Sequence, residues 1–288
     1  MIRRDGWGGA EAIPYARSAP MFVIHAIALV GPFLVPFSWR YVGLAAALYL
    51  ARMLALSAGY HRYFAHRSYR TGRLFQCLLA FLGGTCAQRG ALWWAANHRE
   101  HHRHSDGPAD LHSPRQRGLL WSHLGWVLSK QFESTRLDRI RDFARYPELR
   151  WLDRHHFAPS WVLLGTLLLL GGPGAAVWGS FVSTVVLWHG TFTINSLAHA
   201  FGSRRYATGD DSRNNPWLAA ITLGEGWHNN HHHYPGSATL GFFWWEVDPT
   251  YWVLRALSAV GLIWDLRNPP AMVRARTLTA PATAEAAR

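Results

Sequence analysis

The strongest constraint in this sequence is one long segment without charged residues. Residues 158–199 contain no Lys, Arg, Asp or Glu. Because about 20 apolar residues cross a bilayer, this segment is too long for one crossing and long enough for two. A Gly-Gly-Pro-Gly sequence at 171–174 provides a turn near its middle. We therefore predict two membrane-spanning helices, at 158–172 and 175–198.

Two more apolar segments come earlier in the chain. Residues 19–39 contain no charged side chain, and residues 41–60 contain only Arg52, for which we expect a partner inside the helix bundle. A shorter apolar segment, 74–87, cannot span a bilayer and predicts an interfacial or re-entrant helix. These patterns predict an all-α membrane protein with four transmembrane helices.

The polar segments lie on one side of the predicted membrane, because four spans return the chain to the side on which it starts. Residues 61–157 and 200–268 then form one helical cap, and residues 1–268 form a single domain. The many Arg residues of the cap predict a cytoplasmic position by the positive-inside rule. Residues 269–288, rich in Ala, Pro, Thr and Arg, predict a flexible tail. Core helices of a soluble protein are disfavoured, because residues 158–199 show no amphipathic alternation.

The chain is also basic, with a formal net charge of +12 at pH 7. Such a charge favours binding to nucleic acid, anionic lipid or an anionic substrate. Because the positive charges alternate with long uncharged segments, we predict the lipid bilayer as a partner and no nucleic acid.

Histidines concentrate near the cytoplasmic ends of the predicted spans. They are His61 and His66, the triplet His98, His101 and His102, and the triplet His228, His231 and His232. Residues at i, i+3 and i+4 share one face of a helix, so each triplet can present several imidazoles to one point. Asn195 and His199, four residues apart, lie at the end of the last predicted span.

Imidazole is the most versatile nitrogen ligand for transition metals in proteins. Nine histidines exceed the needs of one ion, since a zinc ion is usually satisfied by four ligands. Two ions with four or five nitrogens each fit this number. The spacing leaves iron, copper and zinc open. A metal transporter or metal-binding membrane protein is a less favoured alternative, because transporters bind at mid-membrane depth and these clusters lie at the ends of the spans.

In their order and spacing, four motifs resemble those of acyl-CoA desaturases of the stearoyl-CoA desaturase type, and residues 241–246 and 264–266 are similar to the bacterial branch of this family. The four motifs are HxxxxH at 61–66, HxxHH at 98–102, NSxAH at 195–199 and EGxHNxHH at 225–232. The resemblance extends over about residues 20–266 and includes Ser122-His123-Leu124-Gly125-Trp126.

This resemblance implies four spanning helices beneath a cytoplasmic cap, in a bacterial inner membrane. It implies two irons bound by the positions that match His61, His66, His98, His101, His102, His199, His228, His231 and His232. It also implies that Asn195 holds a water on one metal, and that the reaction consumes O2 and two electrons.

Four carboxylates are candidates for orienting the imidazoles through their second nitrogen. They are Asp106, Asp110, Glu225 and Glu246. The sequence contains no motif for haem, flavin or an iron–sulfur cluster. We therefore expect the electrons to come from a separate carrier of the ferredoxin, rubredoxin or cytochrome b5 type and its NAD(P)H reductase.

The predicted function is O2-dependent desaturation of a fatty acyl chain, with a cis double bond expected at the Δ9 position. An acyl-CoA substrate is favoured by the resemblance, while acyl lipid and acyl-carrier protein stay open. Hydroxylation or triple-bond formation on the same scaffold is the alternative chemistry. Chain length and double-bond position are not readable from these residues.

Overall fold

The computed structural model describes residues 15–278, with side chains from residue 18 onward. The described chain is mostly helical, as the sequence predicts. Its α-helices are α1 (Tyr15–Leu34), α2 (Trp39–Leu54), α3 (Arg73–Gly84), α4 (Ala91–His104), α5 (Pro114–Arg117), α6 (Trp126–Leu128), α7 (Arg141–Ala144), α8 (Pro147–Arg154), α9 (Ala158–Ala175), α10 (Ser183–Ser196), α11 (Pro216–Ile221), α12 (His228–His233), α13 (Pro249–Ala259) and α14 (Ala271–Ala275).

Other backbone conformations connect these helices. The π-helical segments are Ala55–Ala65, Trp121–Gly125 and Ala176–Val182, and the 3-10 turns are Lys130–Phe132, Leu137–Arg139 and Leu197–His199. Strand β1 (Arg70–Thr71) pairs antiparallel with β2 (Ile263–Trp264), with Arg70 opposite Trp264. Part of the predicted tail, residues 279–288, lies outside the described residues.

Within the described residues, two helical stretches are long and apolar enough to cross a membrane, Trp39–Ala65 and Ala158–His199. The second stretch is broken at Gly172, whose φ of 70° and ψ of −170° are not helical. Beyond this break, a Cβ atom placed on Gly179 would lie 2.9 Å from Leu167 Cδ1. In a straight helix, these residues would be about 18 Å apart at 1.5 Å per residue. The chain therefore folds back at Gly172, within the turn that the sequence predicts.

Arg52 has partners inside the bundle, as expected for a charge in an apolar segment. Its guanidinium donates to Thr184 Oγ1 at 2.7 Å, to the Thr85 carbonyl at 3.0 Å and to Ser183 Oγ. Only 4% of the residue is exposed. These bonds join α2 to the end of α3 and the start of α10.

Helix α3 is apolar on both of its faces. Leu79 and Ala80 are buried, while Leu74, Leu78 and Leu82 are exposed at intervals of four residues. An exposed leucine stripe of this kind suits a helix in the membrane interface, and the interfacial or re-entrant position of residues 74–87 stays a prediction.

Candidate metal centre

The π-helical segment explains the unusual spacing of the first two histidines. In an α-helix, residues three or four apart face the same side, whereas a π-helix makes its hydrogen bonds between residues five apart. His61 lies within the π-helical segment Ala55–Ala65, and the His66 N–H donates to the His61 carbonyl at 3.2 Å. The five-residue spacing therefore places both imidazoles on one side of the helix, and their ring centroids are 4.8 Å apart.

Nine histidines form two groups at this end of the bundle. One group contains His61, His66, His98, His102 and His231, and the other contains His101, His199, His228 and His232. In each group, one nitrogen from every ring lies within 4.8 Å of those from the other rings. The structure thus brings together every histidine that the sequence predicts as a ligand.

Helix geometry divides each triplet between the two groups. On α4, His98 and His102, four residues apart, belong to the five-histidine group, while His101 belongs to the other. On α12, His228 and His232 belong to the four-histidine group, while His231 crosses to the five-histidine group. Each triplet therefore contributes ligands to both groups, which keeps the two groups adjacent.

The ring nitrogens within a group lie about as far apart as ligands of one ion. The Nε2 atom of His61 is 3.0 Å from that of His231, and the Nε2 atom of His199 is 3.0 Å from that of His228. The Nε2 atoms of His98 and His102 are also 3.0 Å apart. Two nitrogens about 2.1 Å from one ion are about 3.0 Å apart at a right angle and about 3.4 Å apart at a tetrahedral angle. These separations are compatible with nitrogens that bind one ion.

Four carboxylates contact the Nδ1 atoms of four of these imidazoles. Asp106 lies 2.8 Å from His199 Nδ1, Asp110 lies 3.0 Å from His101 Nδ1, Glu225 lies 2.5 Å from His61 Nδ1 and Asp210 lies 2.6 Å from His232 Nδ1. A carboxylate at Nδ1 keeps the proton there and leaves the Nε2 lone pair for a metal. Three of these carboxylates are predicted from the sequence.

Asp210 is the member of this set that the sequence does not predict. It lies in the Gly209-Asp210-Asp211 loop, between the histidine motifs at 195–199 and 225–232. Glu246 was expected to orient an imidazole, and that prediction is wrong. The Glu246 carboxylate accepts instead from Asn230 Nδ2 and the Phe242 N–H, both at 2.8 Å, and from Arg205. It therefore supports the loop around α12 rather than a ring.

The short helix α12 has six residues, too few to be stable alone, so its surroundings must hold it. Asn214 Oδ1 accepts from the main-chain N–H groups of Asn229 and Asn230, at 3.0 and 3.1 Å. The buried Arg62 donates to Asp248 at 2.9 Å and to Glu225 at 3.3 Å. Arg62 follows His61, so these bonds join the first histidine motif to the last.

Comparison with known proteins agrees with this geometry. The protein-family model described as "Fatty acid desaturase" matches residues 36–263. The chain belongs to the fatty acid desaturase family. It is therefore an oxidoreductase.

Three relatives illustrate the range of this family. The sn-2 palmitoyl-lipid 9-desaturase of Nostoc sp. (strain 36) is 37% identical, over 86% of this chain and 88% of its own. The hex-5-enoyl-[acyl-carrier protein] acetylenase of Moorena producens (strain JHB) is 36% identical, over 88% and 85%. The icosanoyl-CoA 5-desaturase of Limnanthes douglasii is 35% identical, over 86% and 71%.

Burial keeps most imidazoles of this desaturase uncharged. It lowers the pKa of each of five rings well below its usual value, and neighbouring imidazoles add to the effect; these rings are His66, His98, His102, His228 and His231. Burial also lowers the pKa of His232 to about 4, although Asp210 opposes the shift. Burial also acts to lower the pKa of His101, but Asp110, Asp106 and Asp210 outweigh it and raise this pKa. Neutral imidazoles are the form that binds metal.

The donor set of the desaturase fits a pair of metal ions. The Nε2 atoms of His101 and His232 are buried and have no hydrogen-bond partner among residues 18–278. Both rings hold a carboxylate at Nδ1, so in the neutral ring each Nε2 atom carries a lone pair. A buried lone pair without a donor is costly, and a bound cation would satisfy both.

A cavity of about 540 Å³ adjoins the histidine groups. Its walls include Trp93, Trp94, Trp188 and Phe192, and it reaches the five-histidine group at His98. Asn195 borders the same cavity and is half-buried. A mostly apolar cavity of this size is typical of a small-molecule site.

Proposed function

We propose that the nine histidines bind two irons and that the chain desaturates fatty acyl substrates held in the adjoining cavity. In this proposal, Asn195 acts on one metal through a water molecule. The observation that carries the proposal is the convergence of five and four imidazoles beside a cavity with aromatic walls. Family membership supports the same reaction class.

Iron is favoured over zinc by the number of the nitrogens. A group of five imidazoles exceeds the four ligands of a typical zinc site. Two irons bound here would supply, with O2 and two electrons, an oxidant strong enough to remove hydrogen from an unactivated methylene, which no side chain can do.

The chain itself binds and orients the substrate. Burial of an acyl chain contributes about 0.8 kcal/mol per CH2, so an apolar cavity can hold it without any charged contact. The position of the chain in the cavity would select the methylenes that approach the metals, and we propose that they give a cis double bond at Δ9. The four carboxylates at Nδ1 hold the rings and their tautomers during this reaction.

Acyl-CoA is the carrier that we propose from the sequence. The names of the three relatives include a lipid, a carrier-protein and a CoA substrate, so the test below offers more than one carrier. The relative named as an acetylenase makes a triple bond the second outcome to be measured.

We further propose four membrane spans with the metal centre in a cytoplasmic cap, in a bacterial inner membrane. The reversal at Gly172 supports two spans within Ala158–His199, with Trp39–Ala65 as a third and α1 as the fourth. Electrons would come from a separate carrier of the ferredoxin, rubredoxin or cytochrome b5 type and its reductase. The net charge of +12 suits an acidic carrier.

The test has two parts. Purified protein should contain two irons per chain, and a host that expresses it should accumulate new monounsaturated acyl chains, with the bond located by gas chromatography and mass spectrometry. In vitro, acyl-CoA and acyl lipid are supplied separately, with a carrier and its reductase.

The matched variants are His232→Ala, which removes a proposed ligand, and His155→Ala, which removes an exposed histidine outside the groups. We expect the first to be inactive and the second to be unchanged. Full activity in His232→Ala would refute the ligand set.

A further inference from the structure

The last turn of α10 is fastened to the cap by a serine from another segment. Ser122 Oγ donates to the main-chain carbonyl of Asn195 at 2.7 Å, and Ser122 is fully buried. The last four main-chain carbonyls of an α-helix receive no hydrogen bond from an N–H group of the same helix. Ser122 therefore caps this helix end from the π-helical segment Trp121–Gly125.

The next residue, His123, bridges two turns of the same helix. Its Nδ1 lies 3.0 Å from Ser196 Oγ, and its Nε2 lies 3.0 Å from His189 Nδ1. Ser196 and His189 are seven residues apart, about 10 Å along the axis. The other nitrogen of His189 lies 3.2 Å from His25 Nε2 on α1. One imidazole thus links the cap to α10, and through His189 to α1.

These contacts lie where the backbone changes conformation. Helix α10 ends at Ser196, and the 3-10 turn Leu197–His199 follows. Within residues 18–278, no hydrogen bond holds the side-chain amide of Asn195, whereas its main-chain carbonyl is held by Ser122. The main-chain position from which that amide reaches the cavity is therefore held by Ser122.

We propose that Ser122 and His123 are positioning residues that fix Asn195 beside the metal centre. This inference rests on the proposed function, because Asn195 matters only if the neighbouring histidines bind metal. Ser122 holds the Asn195 carbonyl and His123 holds the next residue, so together they limit rotation of the last turn. Neither side chain is among the nine proposed ligands.

The expected loss follows from the precision that such sites need. A displacement of about 1 Å can lower the rate about 100-fold. Changing a group that orients a metal ligand typically lowers metal affinity or activity about 10- to 100-fold. We expect Ser122→Ala to lower kcat by about 10- to 100-fold, with KM within about twofold. Iron should stay at the wild-type amount, because all nine histidines are unchanged.

A double-mutant cycle separates positioning from a general structural role. The variants are Ser122→Ala, Asn195→Ala and the double mutant, with Ser160→Ala as the control. Ser160 Oγ donates to the Gly84 carbonyl at 3.0 Å, at the end of α3, so the control removes the same kind of bond elsewhere. Iron content, kcat and peroxide released per O2 consumed are measured for each.

If Ser122 acts through Asn195, the double mutant should be as slow as Asn195→Ala alone, and Ser122→Ala should release more peroxide than Ser160→Ala. The inference is overturned if the kcat losses of the two single variants multiply in the double mutant. Loss of iron or wild-type turnover in Ser122→Ala would overturn it as well. His123→Gln, which cannot reach both Ser196 and His189, gives a second and independent variant with the same expectation. An inactive, iron-free wild type would instead contradict the proposed function.

Discussion

Asp106 offers the sharpest test of how the chain prepares its ligands. Its carboxylate accepts from His199 Nδ1 at 2.8 Å, from the Asp211 N–H at 2.8 Å and from Ser113 Oγ at 2.6 Å. Burial raises the pKa of Asp106, but the bonds from His199 and Ser113 outweigh it and lower the pKa. The group is therefore an anion at neutral pH, and it holds the His199 proton on Nδ1.

Asp106→Asn keeps the shape and removes the charge. A hydrogen bond to a charged group contributes about 1.5–3 kcal/mol and a neutral one about 0.5–1.5 kcal/mol, so the His199 bond should lose about 1–1.5 kcal/mol. Since 1.4 kcal/mol is about a tenfold change in an equilibrium constant, iron at the four-histidine group should bind about tenfold more weakly.

Asp106→Ala should destabilise the folded protein much more than Asp106→Asn. It leaves the His199 Nδ1–H and the Asp211 N–H buried without an acceptor, at about 1–3 kcal/mol each. Their sum, about 2–6 kcal/mol, is a large part of a typical total stability of about 5–15 kcal/mol. We expect low yield of folded protein from this variant.

The assay is iron per chain in detergent-purified protein, followed during titration with a chelator. Glu148→Gln is the control. It removes the same charge, but from a carboxylate that pairs with the exposed Arg73 and not with an imidazole. Asp106→Asn should release about one iron at roughly tenfold lower chelator than wild type, while the control should match wild type. If Asp106→Asn also matches wild type, the carboxylate does not support the ligand and our reasoning is wrong.

Three more predictions follow from other parts of the chain. Arg52→Leu should lower the melting temperature, because the buried Thr85 carbonyl loses its donor, and an unchanged melting temperature would contradict the role given to Arg52. Asp153→Asn should gain stability relative to wild type as pH rises from about 4 to 7, because burial raises the pKa of Asp153 in the folded state. Wild type loses stability as pH rises through a raised folded pKa, whereas the variant loses only one acceptor for Trp93 N–H and Thr135 Oγ1 at any pH, and an equal difference in melting temperature at both pH values would refute the prediction. Charge reversal of the exposed Arg141 and Arg145 should slow turnover supported by an acidic carrier, and the effect should shrink at high salt. If turnover slows by the same factor at low and high salt, charge-guided docking is excluded.

The sequence by itself determined the helical and apolar character of the chain and the identity of the nine histidines. Both depend on short-range pattern: the uncharged segment 158–199 needs no distant partner to be read, and spacings of three and four residues are local geometry. The turn at Gly172 was also readable, because Gly and Pro limit the backbone locally.

Only the tertiary structure decided how the histidines are divided and what holds them. On α4, the four-residue spacing groups His98 with His102, but only the tertiary structure shows that His101 joins His199. Asp210 could not be found in the sequence, since loop acids are common and its contact with His232 joins residues 22 positions apart. Glu246, which follows the motif at 225–232, was misassigned because long-range packing sets the partner of a buried carboxylate. In this fold its partners are Asn230 and Arg205.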